Sequence, residues 1–246
     1  MEWLSAAWLA VGVFILLAYT LEAITGFGSI VIALSLSALL LPIEQLLPVL
    51  VPLNIGLTGY LAWRYRQAID KALLLKLILP GMLLGTAAGY LVRPYLDENL
   101  LRQLLGILVL WFAGRELWRL RSATLASAHP LWLSRVLTLG GGLCHGLFAS
   151  GGPLLVYALA GSTLDKTRFR ATLVTVWFSL NSLLTLAFLA DGRLSAALPH
   201  IALFAPLLLL GLWVGETLHH KVNERHFRIA VYWLLLVTAL ILLWPR

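Results

Sequence analysis

Charge is what this chain has least of. Only 12% of its 246 residues are charged, 61% are hydrophobic, and mean hydropathy is +0.91. A soluble domain of this size needs far more polar surface, so the composition indicates a membrane protein with many spans. Cysteine is almost missing as well. Cys144 stands alone, which excludes an intrachain disulfide and a two-thiol electron relay. No lysine or arginine precedes Arg64, so the first apolar segment lacks the basic start of a cleaved signal peptide and reads as retained. The net charge of +7 would suggest nucleic acid in a soluble protein. Here the basic residues fall in loops, where they set orientation and meet anionic headgroups, and no nucleic-acid partner is expected. No cofactor, metal ion or catalytic residue is expected either.

What is present is a repeated pattern. Residues 77–113 and 203–239 align at an offset of 126, placing Pro80, Gly85, Gly89, Glu98 and Arg102 on Pro206, Gly211, Gly215, Glu224 and Arg228. An internal duplication accounts for this, with residues 1–120 as the first repeat and 121–246 as the second, together forming one membrane domain. The apolar segments are 3–24, 29–41, 46–63, 72–92, 100–118, 132–149, 153–161, 171–190, 197–217 and 227–244. A span needs about 20 apolar residues, so 29–41 and 153–161 are too short to cross alone. Each follows a glycine-rich break, at residues 25–29 (TGFGS) and 149–153 (ASGGP).

The basic residues decide whether these interrupted segments cross or turn back. If each crossed once, lysine and arginine would divide almost evenly between the two sides. If each turns back, the loops at 64–76, 115–135, 166–170 and 221–228 share one side and carry 14 of the 18 basic residues. That asymmetry favours re-entrant hairpins with the basic loops inside. The expected fold is therefore an all-α polytopic membrane protein with two inverted repeats. Each repeat is a glycine-broken re-entrant helical hairpin plus three transmembrane helices, and both termini lie outside.

Polar residues inside such a chain mark candidate sites. The tips offer Thr25, Gly26, Gly28 and Ser29 in one repeat, and Ser150, Gly151 and Gly152 in the other. Glycine permits tight turns and close approach to a ligand. Ser29 is expected to cap one second arm, and Pro153 suits the first turn of the other. Helix N-termini favour anions. Asn54 and Asn181 recur at nearly the repeat offset, each with a threonine one turn on (Thr58, Thr185). A mid-span carboxamide can hold an oxyanion or act as interhelical glue, and the sequence leaves both readings open. Thr172, Thr175, Ser179 and Ser182 extend the polar face around Asn181. Glu22 and His145 lie beside the tips and are candidates for proton coupling or for a static partnership. Gly85, Gly89, Gly211 and Gly215 form small-residue packing faces, and no lysine or arginine is expected at the depth of the tips.

The two glycine-broken segments and the repeated P-x4-G-x3-G pattern resemble the TauE/SafE sulfite exporter family over residues 5–244, although TGFGS is leaner than that family's usual first tip. The resemblance implies an inverted repeat with re-entrant hairpins. It also implies a secondary transporter of sulfite, sulfonates or related organosulfur oxyanions in the bacterial inner membrane. The expected partners are a small anionic substrate, the bilayer and protons, with a homodimer left open. Two alternatives stand beside it. One is a passive anion channel. The other is an intramembrane serine hydrolase built on Ser150 with His145 or His200 as base, which would explain only one of the two tips.

Overall fold

A computed structural model describes residues 5–25, 28–121, 129–160, 162, 164–219 and 224–244. Among the described residues each of the ten apolar segments lies mainly on a helix, and there is no strand. Four helical stretches, Ile43–Arg64, Lys71–Tyr95, Thr167–Ala190 and Arg193–Gly215, are long and apolar enough to cross a membrane.

The chain forms two compact units. The first comprises residues 1–50, 97–124 and 195–246, and the second comprises 51–96 and 125–194. In the first unit, α1 (Ala6–Thr25) is followed by the short α2 (Ser29–Ser37), which packs back against it. The first turns of α3 (Ile43–Arg64) also belong here. Glu98 anchors them from the start of α6 (Glu98–Arg121), its carboxylate accepting the Ile43 N–H at 3.0 Å. In the same unit α6 packs on α11 (Glu224–Leu243), and α1 packs on α10 (Arg193–His219).

Ser29 does not cap α2. Gly28 holds the cap position at φ +102, where side chains are strained, and Ser29 is already helical and buried. A serine hydroxyl caps only from outside the first turn, so the glycine displaces it from that role.

The second unit is built from the rest of α3, the first helical turn α4 (Lys71–Leu73), a π turn at Leu74–Ile78, α5 (Leu79–Val92), α7 (Leu131–Phe148), α8 (Gly152–Ala158) and α9 (Lys166–Ala190). Local chemistry starts two of these helices. Asp70 accepts the Leu73 N–H, and Asp165 accepts the Thr167 and Arg168 N–H groups, as N-caps do. Asp70 is itself tied to α9, because its N–H donates to Thr172 Oγ1 at 3.0 Å and its carboxylate pairs with Arg168 at 3.2 Å. The core collects Leu74, Ile78, Met82, Leu155, Leu159, Leu173, Val176 and Leu180.

Helices α5 and α7 pack backbone to backbone. A methyl group at Gly85 would lie 2.2 Å from Leu139 O and 2.6 Å from Leu143 N, so the two backbones touch where no side chain fits. Contacts at Gly81 with Thr138, Gly85 with Gly142 and Gly89 with Gly146 advance together, so the helices run parallel in register. Gly211, which aligns with Gly85 in sequence, makes a matching contact within the first unit, where it faces Leu16 O, Tyr19 Cβ and Thr20 N. Leu16, Tyr19 and Thr20 precede Leu139, Gly142 and Leu143 by a constant 123 residues. Small residues here serve helix packing.

Candidate functional site

The site in the second unit begins where α7 stops. Ala149 takes the left-handed conformation at φ 51, and its N–H donates to His145 O at 2.7 Å, closing the helix. Left-handed backbone in a residue with a Cβ costs about 1 kcal/mol or more, and strain of this kind gathers at functional turns. The Ser150 hydroxyl then donates to Phe148 O at 2.9 Å. At Gly151 a methyl group would meet Gly141 O at 2.2 Å and His145 Cβ at 3.0 Å, so the returning chain lies on the α7 backbone. Pro153 sits in the first turn of α8. At its far end Ser134 Oγ donates to Ala158 O at 3.0 Å, fastening α8 alongside α7 as a hairpin. Ala149→Val should lower the unfolding midpoint in detergent relative to Ala149→Gly, with a gap of at least about 1 kcal/mol, because a β-branched residue tolerates left-handed backbone least.

Three polar side chains converge beside this tip. Asn181 Nδ2 donates to Asn54 Oδ1 at 2.9 Å, and the whole pair is buried. The His145 ring lies next to the Asn181 carboxamide and stacks on Trp177, with ring centroids 5.8 Å apart and planes 20° from parallel. Only 1% of His145 is exposed, yet neither ring nitrogen makes a well-formed hydrogen bond, and Asn181 Oδ1 accepts none. Buried polar atoms are nearly always paired, so open ones call for an explanation. Trp177, Asn181 and Thr185 are spaced one turn apart on α9, and Trp177 also faces Gly152. The Thr185 hydroxyl is a further buried group with no hydrogen bond, whereas Thr58 donates to Asn54 O at 2.8 Å.

The other hydroxyls expected on this face behave differently. Thr172, Thr175 and Ser179 each donate to the carbonyl four residues back, at 2.8 Å, so their protons are spent within α9. The hydrolase arrangement does not form, since the Ser150 hydroxyl donates to Phe148 O and the His145 ring faces Asn181 and Trp177. His200 lies in the other unit, stacked on Trp8 at 3.8 Å.

The first hairpin is described in part. Thr25 ends α1, but its side chain and Gly26 lie outside the described residues. Gly28 lines a slim cavity of the first unit with Leu21, Phe112, Arg228 and Tyr232. Glu22, next to Leu21, is partly buried and engaged in an interaction. The 123-residue step of the α1 and α7 contacts carries Glu22 onto His145, so the two ionisable groups occupy matched positions.

One expectation fails in both units. Arg228 borders the cavity at Gly28, and Arg93 is 0% exposed, so basic residues do approach the hairpins. Each stands at an end of an apolar run, where a loop residue is expected. Their helices carry them inward instead. Sequence reasoning also missed Trp177 and Ala149. The one-turn spacing of Trp177 from Asn181 was available as a signal, whereas the break at 149–153 gave no sign that alanine rather than glycine would take its left-handed position.

Among the described residues the chain is helical and apolar, and four helical stretches suited to crossing a bilayer mark it as a membrane protein, with a buried amide pair beside a glycine-broken turn. The chain matches the family described as Sulfite exporter TauE/SafE over residues 11–242, and it belongs to that family of membrane transporters. It is similar to the Probable inner membrane transporter protein TsaS of Comamonas testosteroni, with 26% identity over 165 residues, covering 66% of this chain and 68% of the relative. No solved structure matches it significantly.

Proposed function

We propose that this protein is a secondary transporter that moves a small anion, such as sulfite, a sulfonate or a related organosulfur oxyanion, across the bacterial inner membrane by alternating access. The family description and the relative's name support the class. The observation that carries the site is the buried group of His145, Asn181 and Asn54, with open polar atoms beside Ser150, Gly151 and Gly152. A neutral imidazole donates one N–H, and a protonated one donates two and brings a positive charge. Anion binding would therefore favour proton uptake at His145, and the two would move together. In the other unit, Thr25, Gly26, Gly28 and Ser29 are the matching tip and Glu22 is the matching proton carrier.

This reading takes the two repeats as inverted, the hairpins as re-entrant, residues 1–120 and 121–246 as the repeats, and both termini as outside. The distribution of basic loops supports it.

Uptake of radiolabelled sulfite or a small sulfonate into vesicles, with and without an imposed pH gradient, tests the coupling. The gradient should accelerate uptake severalfold in the native protein, and His145→Gln should remove that response. Uptake that ignores the gradient and survives Glu22→Gln combined with His145→Gln would end the proton reading.

A further inference from the structure

We infer that Thr86 is a further substrate-binding residue, whose hydroxyl donates to an oxygen of the anion held beside His145 and Asn181. The assignment rests on the transport reading above and deepens it, by making the ligand an oxyanion gripped from two helices.

Thr86 carries a buried hydroxyl that its own helix does not satisfy. Only 1% of the residue is exposed, and its Oγ1 makes no hydrogen bond among the described residues. A helical threonine or serine can spend its proton on the carbonyl four residues back. Thr58, Thr172, Thr175 and Ser179 of the same unit all do so. For Thr86 that carbonyl is Met82 O, which is pressed against α7, since a methyl group at Gly142 would lie 2.4 Å from it. A buried hydroxyl without a partner costs stability, and an acceptor arriving with the substrate would remove that cost.

Register brings that hydroxyl level with the site. On α5, Met82, Thr86 and Tyr90 recur at one-turn spacing and share a face. Met82 packs in the core with Val176 and Leu180 of α9, and the ring centre of Tyr90 lies 6.0 Å from that of Phe188. Thr86 therefore meets α9 between Leu180 and Phe188, at the turn that carries Asn181. Towards α7, a methyl group at Gly146 would lie 2.2 Å from Thr86 O, and Gly146 directly follows His145. The close contacts at Gly85 and Gly89 fix the backbone on both sides of Thr86, so its hydroxyl is positioned before a ligand arrives. The imidazole comes from α7 and the hydroxyl from α5. A sulfite or sulfonate presents separate oxygens to both donors at once, whereas a halide offers a single centre.

Thermal unfolding of the purified full-length protein, in sodium sulfite, sodium methanesulfonate or sodium chloride at equal ionic strength, reads this directly. Native protein should be stabilised by the two oxyanions beyond chloride. Thr86→Val keeps the shape of the side chain and breaks no hydrogen bond within the chain. In chloride it should therefore unfold at the native temperature or above it. Its half-saturating oxyanion concentration should nonetheless rise about tenfold or more, as loss of a hydrogen bond to a charged group requires, while Thr86→Ser should stay within about threefold of native. Thr86→Ala removes the same hydroxyl and carries the test if the valine variant fails to fold. Unchanged half-saturation in the valine variant, or in the alanine variant standing in for it, overturns the Thr86 assignment alone. The absence of any oxyanion effect in native protein would instead overturn the anion reading on which this assignment stands.

Discussion

Replacing Asn181 with leucine should abolish transport and also lower stability by about 1–3 kcal/mol, because the Asn54 carboxamide would be left buried without its partner. That single result does not separate a binding residue from a structural tie. Asn54→Leu combined with Asn181→Leu does. Removing both partners takes away the unpaired group, so stability should return most of the way towards the native value. Uptake should stay at background if the amides handle the substrate. Recovery of uptake together with stability would reduce the pair to interhelical glue, of the kind that averages about 0.6 kcal/mol per hydrogen bond within membranes.

The second large effect belongs to the α5–α7 contact. Gly85→Ala puts a methyl group 2.2 Å from Leu139 O, and no rotamer relieves a backbone clash. The helices must separate, breaking the neighbouring contacts at Gly89 and Gly81 as well. Overpacking of this kind costs about 1–3 kcal/mol, and the upper end is expected where both partners are backbone. Gly211→Ala meets Leu16 O at 2.9 Å and should cost less. Gly114→Ala, with open space around it, should lie within about 0.5 kcal/mol of native. Unfolding midpoints in one detergent would order the three variants. A Gly85→Ala protein as stable as the Gly114→Ala protein would refute the close contact.

Much of the helix plan was legible because a membrane chain writes its spans in hydropathy. The apolar runs, the breaks before α2 and α8, and the pairing of Gly85 with Gly211 all follow from spacing alone. The partner of each helix was not legible. Periodicity shows that Gly85 wants a close neighbour, but it says nothing about which helix supplies one. The matched Asn54 and Asn181 were visible as a pair, yet their hydrogen bond needed α3 and α9 brought side by side. Arg93 escaped because its sequence setting, beside Pro94 at the end of an apolar run, is that of a solvated loop. Burial of its charge depends on Tyr90 and Phe188, which reach it from two different helices.

The glycine contacts carry a consequence for how such a chain is made. Gly85, translated early, clasps a helix translated later, while α1 must wait for Gly211 near the end of synthesis. Neither half can finish its own tightest joint. Two fragments severed in the stretch after Arg121 should each be degraded when expressed singly, and should accumulate only when a cell makes both at once.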